Sequence, residues 1–366
     1  MVTFLGGIMY KFLFSSIISI ILASSILLFY NPSWSKTKFI PLGVSPIIAT
    51  DYIHSVIEAD RTIYSKMIVE RLGDSISLKA EENWLEKNTL PLPAQFLLLA
   101  SENVKSQRLG MNYRLMSLWP INPLNGPRDR FEQKGLEEVR KSPRPFTTTF
   151  TKRGKLMFKA VYPDKAVTKS CVTCHNGHPN SPKKDFKLGG VMGGISITIP
   201  LGQEGLIPAK VVADFIHAVV ESDRMIYTEF VVNRLQNNNI VKASEHWWRE
   251  KGLMLPAQFL LHASDLIAHQ RMGLMYKLMS PWPINQYNGA VTKFEKQGMG
   301  VVVRNPKDTY VGTYTVHDRQ FFEAVYPDFA VSKACVSCHN SHPNSPKRNF
   351  KLNDVMGGIM LSFPVQ

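Results

Sequence analysis

The sequence predicts an α+β protein written twice. Three observations carry that reading. Asp51–Gly135 recurs as Asp214–Gly298 at a constant offset of 163, and Ala160–Pro200 recurs as Ala324–Pro364 at 164. About half the positions match in the first block and about two-thirds in the second, as in a tandem duplication of whole domains rather than a short solenoid repeat. Within each copy, apolar residues first recur at helical spacing, and β-branched alternating segments come later, an order expected of helices set on an antiparallel sheet. Each copy also carries one C-x-x-C-H, at Cys171–His175 and Cys335–His339, and the two motifs use all 4 cysteines of the chain.

Taken in order, Phe12–Tyr30 is 19 residues without a charge, preceded by Lys11. That length spans a bilayer as a helix, while a cleaved secretory signal has a shorter apolar region and a small-residue cleavage site. Residues 1–30 are therefore expected to be a membrane anchor, the alternative being a cleaved signal near Ala23-Ser24-Ser25. Residues 31–47, with Pro, Ser and Gly spread through them, read as a linker. The first domain is assigned to 48–201, a linker to 202–210 and the second domain to 211–366. A first helix over Asp51–Leu72 carries Ile53, Val56, Ile57, Ile63, Tyr64, Met67 and Ile68, and its counterpart is Asp214–Leu235. Short helices are expected around Trp84 and Trp247. Pro93 and Pro256 open longer helices, as Pro does in a first turn. The first of these is expected to run through Phe96, Leu97 and Leu98 as far as Met116, where Ser117–Asn122 breaks it. Another short helix covers Phe131–Arg140. Strands follow at Phe146–Phe150 and Leu156–Tyr162, matched by Tyr310–Val316 and Phe321–Tyr326, and a last strand at Ile195–Ile199 or Ile359–Phe363.

The C-x-x-C-H spacing has a mechanical reason. Residues three and four apart share a helix face, so two thiols can bond one porphyrin while the histidine that follows supplies an axial nitrogen to iron. The competing readings are half a zinc site or a thioredoxin-like redox pair, but no cysteine remains to complete an all-cysteine cluster within one copy. Two covalent c-type haems are expected, with Cys171, Cys174, Cys335 and Cys338 as attachment points and His175 and His339 as proximal ligands. Such attachment takes place outside the cytoplasm. The pair is therefore expected on the periplasmic side of an inner membrane, or soluble in the periplasm if the leader is cleaved.

The formal net charge is +14. Four haem propionates would bring it to roughly +10, which suits acidic redox partner proteins or an anionic membrane surface, or serves solubility alone. No compact Lys/Arg-rich run is present, so nucleic acid is not indicated.

A set of motifs recurs in both copies: D-R-x-x-Y from Asp60, P-A-Q-F from Pro93, W-P-I-N-x-x-N-G from Trp119, and A-V-Y-P-D from Ala160. C-V-x-C-H-N-x-H-P-N-S-P-K follows from Cys171 and V-M-G-G-I from Val191. Together these resemble the Tll0287-like (DUF3365) family over nearly all of both copies. The resemblance implies extracytoplasmic c-type haem domains with a PAS-like α+β fold, here two in tandem.

The residue on the other side of the iron decides between carrier and sensor. Of the histidines outside the C-x-x-C-H neighbourhood, His54 and His217 alone occupy matched positions, and they are the candidate distal ligands. Arg61 and Arg224 follow two helical turns later on the same side and are candidates for contact with the haem edge or a propionate. The alternative is a solvent-facing histidine and an ordinary arginine salt bridge. His178 and His342 lie too close to the proximal histidine to reach the opposite face, and a hydrogen-bonding or capping role is expected of them. Met116 and Met279, or Met192 and Met356, could serve as thioether ligands, but core packing is the favoured reading for them. The favoured function is one-electron transfer. The alternatives are a redox- or gas-sensing pair acting through a partner and, ranked last, a haem peroxidase.

Overall fold

The computed structural model describes residues 42–202 and 205–366. Phe12–Tyr30 and residues 31–41 of the expected 31–47 linker lie outside the described residues. Among the described residues, no helix is long and apolar enough to cross a membrane.

Each copy begins with a two-residue strand, β1 (Gly43–Val44) or β6 (Ile207–Pro208), and a long helix. The helix starts at a proline, as α1 (Pro46–Ile63), or just after one, as α5 (Ala209–Ile226). It begins earlier than the apolar periodicity suggests, inside segments expected to be linkers. Both helices then widen into a seven-residue π-helical stretch, Tyr64–Glu70 or Tyr227–Asn233, before a last α-helical segment. A π stretch shifts the side-chain register and often marks a functional position. Isolated sequence periodicity carries no sign of it.

Helices α2 (Pro93–Ser106) and α6 (Pro256–His269) open on the expected prolines. Gln95 Oε1 accepts the Leu92 N–H at 3.0 Å, satisfying one donor at that helix start. The expectation that this helix reaches Met116 is wrong. It stops at Ser106, the chain turns through Arg108 and Gly110 at positive φ, and Asn112–Met116 is a strand, β2. In the second copy β7 is Met275–Met279. Leu115 and Met116 are as compatible with a helix as with a strand, so the turn alone separates the two. A four-residue helix is present at Trp84–Lys87, whereas the span around Trp247 is a series of turns.

After α3 (Arg130–Val139) or α7 (Lys293–Arg304) come the hairpin strands β3 (Phe146–Lys152) and β4 (Lys155–Lys165), or β8 (Tyr310–Val316) and β9 (Arg319–Phe329). The motif helices are α4 (Lys169–Gly177) and α8 (Lys333–Ser341), and the last strands are β5 (Val191–Pro200) and β10 (Val355–Pro364). Each sheet is antiparallel and four-stranded, in the orders β2-β5-β4-β3 and β7-β10-β9-β8. The faces alternate as a strand requires. Ile195, Ile197 and Ile199 point to the main core, while Val161 points to a second cluster under α3 with Met116, Leu136 and Val139.

The two copies do not keep separate cores. One apolar cluster runs through both, from Ile53, Ile57 and Phe96 to Phe215, Phe259 and Phe363. Equivalent residues meet each other: Val44 pairs with Ile207, and the Phe96 and Phe259 rings are 6.1 Å apart. Arg71 bonds the Gly252 carbonyl and covers Trp247, and Arg234 bonds the Thr89 carbonyl and covers Trp84. Contacts that exchange i with j in this way define a pseudo-two-fold axis inside one chain.

Candidate functional site

Each C-x-x-C-H lies on a nine-residue helix that follows the sheet's longest strand directly. The helix starts where it does because Thr168 Oγ1 accepts the Cys171 N–H at 3.3 Å, and Ser332 does the same for Cys335 at 3.2 Å. Glu70, at the end of the π stretch, accepts the Lys169 N–H at 3.0 Å, which puts a carboxylate at a helix N-terminus. All four thiols are free. Cys171 and Cys335 are half-buried and Cys174 and Cys338 exposed. Cys171 packs with Val172 and Trp119 on Ala166, Phe186 and Met192, and the second copy repeats the cluster with Cys335, Trp282, Phe350 and Met356.

His175 meets Phe186 edge-on at 5.8 Å, and His339 meets Phe350 at 5.9 Å. Asn176 fixes these phenylalanines by a two-way bond, donating to the Phe186 carbonyl at 3.0 Å and accepting its N–H at 2.9 Å. Asn340 does the same at Phe350. Burial lowers the His175 pKa, with the electrostatic influence of His178 and Arg61 adding to the effect, so the imidazole is neutral and has a lone pair to give. His178 has a supporting role: its Nδ1 accepts the Asn180 N–H at 3.2 Å and its Nε2 is 3.5 Å from Glu82.

His54 is positioned by α1 and the sheet together. Its ring stacks on Tyr162 of β4, centroids 4.1 Å apart and planes 12° from parallel. The Tyr162 hydroxyl donates to Asp51 at 2.7 Å, and it also bonds Thr50 at 2.9 Å, so the ring below the imidazole is itself fixed. His54 Nε2 is buried with no hydrogen-bond partner, and His217 Nε2 is the same. Its Nδ1 lies 3.9 Å from Glu58, too far for a hydrogen bond. Burial, aided by Arg61, pushes the His54 pKa down to about 3, and burial with Arg224 and Lys210 does so for His217. The solvent-facing alternative for these histidines does not hold, since the side chain of His54 is only 12% exposed. In His217 the stack on Tyr326 repeats at 4.1 Å and 12°.

Arg61 is buried and already paired. It bonds Asp164 and donates to the Lys165 carbonyl at 2.9 Å, tying α1 to the segment that leads into the motif helix. Arg224 pairs with Asp328 at 2.5 Å. Arg61 acts electrostatically on both His54 and His175. Met116 and Met279 lie in the clusters under α3 and α7, whereas Met192 and Met356 pack beside the cysteines. The partners Tyr162, Asp164, Asn176 and Phe186 are absent from the candidate residues read from sequence. The recurrence of A-V-Y-P-D was the available signal for the first two.

Each copy thus offers two free thiols, a neutral imidazole on the same short helix, and a second neutral imidazole whose buried nitrogen lacks a partner. A buried ring nitrogen left unpaired is costly, and ligation of a metal would satisfy it. That donor set fits a haem. Among the described residues, no group of three or more His, Cys, Asp or Glu side chains is placed to hold a metal ion. A family model described as Tll0287-like, Tll0287, matches residues 48–200 and again residues 208–364. No curated protein matches the chain.

Proposed function

The chain belongs to the Tll0287-like family of c-type cytochrome-like domains, and on that basis we propose that it is a dihaem electron carrier. Each PAS-like domain would hold one haem, through Cys171, Cys174 and His175 or through Cys335, Cys338 and His339. His54 and His217 would close the distal faces. The haem supplies an iron that changes charge by one electron. The carrying observation is the unpartnered, buried Nε2 of His54 and of His217. Held by His175 and His54, or by His339 and His217, the haem would supply one-electron chemistry with no position left for an outside ligand.

The chain's own contribution is to hold both imidazoles neutral and in place. Tyr162 fixes the His54 ring, Asn176 and Phe186 brace the motif helix, and the Arg61–Asp164 pair links the two elements. Anchoring by residues 1–30 on the periplasmic side would place the pair beside acidic redox partners, to which a net charge of +14 is complementary.

The test is the spectrum of the purified full chain. Two haems per chain should survive acid–acetone extraction, and both ferric centres should be low-spin. Ferrous protein should take up carbon monoxide slowly or not at all. Haem lost to the solvent, or zinc in its place, would overturn the reading. Five-coordinate haems that bind the gas rapidly would move the function to sensing.

A further inference from the structure

The two copies differ most tellingly at one matched place. In the first copy, Phe230 of the opposite copy lies edge-on against Trp84 at 5.7 Å and occupies the space beside it. Its counterpart in the second copy is Met67, an unbranched and thinner side chain. There the space is a solvent-open cavity of about 550 Å³ lined by Met67, Glu245, His246, Trp247, Trp248, Arg249 and His262. Cavities of that size are typical of small-molecule sites.

The other differences at this place run in the same direction. Asn83, Leu85 and Leu99 of the first copy are His246, Trp248 and His262 in the second. Trp248 is 63% exposed, and the Arg71 guanidinium lies 5.8 Å from its ring centroid. Trp247 is held rigidly beside it: the two indoles meet edge-on at 5.3 Å, and Arg71 sits 4.6 Å above the Trp247 ring. His262 meets the Trp247 edge at 5.9 Å. The cavity therefore joins aromatic surface to two imidazoles able to donate hydrogen bonds. Two charged residues complete the lining, Arg249 and Glu245, the latter 3.5 Å from His342, three residues past the second C-x-x-C-H histidine.

We infer that this cavity is a binding site for one planar aromatic molecule bearing ring oxygens, of the quinone class. An electron-poor flat ring suits the electron-rich indole of Trp248, and ring oxygens suit donation from His246 and His262. The inference concerns binding alone and does not depend on haem being present. In the first copy Phe230 stands where Met67 stands in the second, edge-on to Trp84.

The experiment is calorimetric titration of the full chain, as purified, with menadione, a soluble naphthoquinone. The expected result is saturable binding of one molecule per chain despite the duplication. Met67→Phe, which installs the first copy's filling, should abolish it. Trp248→Leu, an exposed substitution with little risk to folding, should weaken it by about a hundredfold, from a stack and its apolar area worth roughly 3 kcal/mol. His246→Asn should weaken it by about tenfold, as one lost hydrogen bond would. Two molecules per chain, no binding, or binding unchanged in both Met67→Phe and Trp248→Leu would overturn the inference.

Discussion

At the residue scale, the distal histidines carry the sharpest prediction. His54→Ala should convert the first haem to a high-spin form that binds carbon monoxide rapidly and leave the second unchanged. His217→Ala should do the reverse. Electron paramagnetic resonance with gas titration reads both, and unchanged spectra in both variants would rule out the assignment. The sequence singles these histidines out because a side chain retained in both diverged copies marks itself. Asp164 was not legible as the partner of Arg61, because it lies 103 residues away and nothing local signals a buried ion pair. Removing one member of such a pair strands the other. Asp164→Ala should therefore cost on the order of 3 kcal/mol in a denaturant titration. If the cost is only that of an exposed pair, the guanidinium must find another partner.

At the element scale, the glycines of V-M-G-G control how strands meet. A Cβ on Gly193 would lie inside contact distance of the Met116 carbonyl oxygen, and one on Gly357 would do the same at Met279. These are backbone atoms and cannot swing aside. Gly193→Ala should push β2 away from β5, loosen Trp119 beyond it, and cost on the order of 2 kcal/mol or more. Thermal unfolding of the variant, with amide exchange along Asn112–Met116, checks both effects, and unaltered exchange there would show that the strand accommodates the methyl. The glycine pair was visible in the sequence, but the strand that requires it was not. Five residues soon after a helix, ending on two adjacent apolar residues, give too little pattern to distinguish a strand from a continuing helix. The helices that open on prolines and the hairpin between Phe146 and Tyr162 were legible, because proline geometry and β-branched runs act locally.

At the scale of the whole molecule, the duplication was readable and its consequence was not. The sequence shows two domains in tandem, whereas the fold joins them through one core. Two carboxyls, Asp60 and Asp223, are buried face to face on the pseudo-axis, with no donor offered to either by any other side chain. Burial pushes the pKa of Asp223 up to about 7, and burial together with Asp223 holds Asp60 well above the carboxylate range. In the unfolded chain both titrate near the usual carboxylate value of about 4. Above that value the folded state holds more protons than the unfolded one, so this pair's contribution is intact in acid and is lost as pH rises through about 7. In the haem-free chain His54 and His217 act in the opposite window: their folded pKa values near 3 make stability fall as pH drops below the unfolded histidine value of about 6.5. Melting temperatures measured from pH 5 to 8 should decline more steeply in the wild type than in Asp60→Asn, where the amide supplies a permanent donor. Equal slopes would show that the carboxyls do not share a proton.

The self-pairing of Val44 with Ile207, and of Phe96 with Phe259, also sets an arithmetic of assembly. Surfaces that match their own equivalents are used up once two have met, in contrast to head-to-tail repeats, which always leave one end to extend. A third copy added in tandem would find no vacant face and would present its own apolar face to water. Lengthening of such a chain by duplication is therefore viable only in even steps, as separate couples in series rather than as a growing stack.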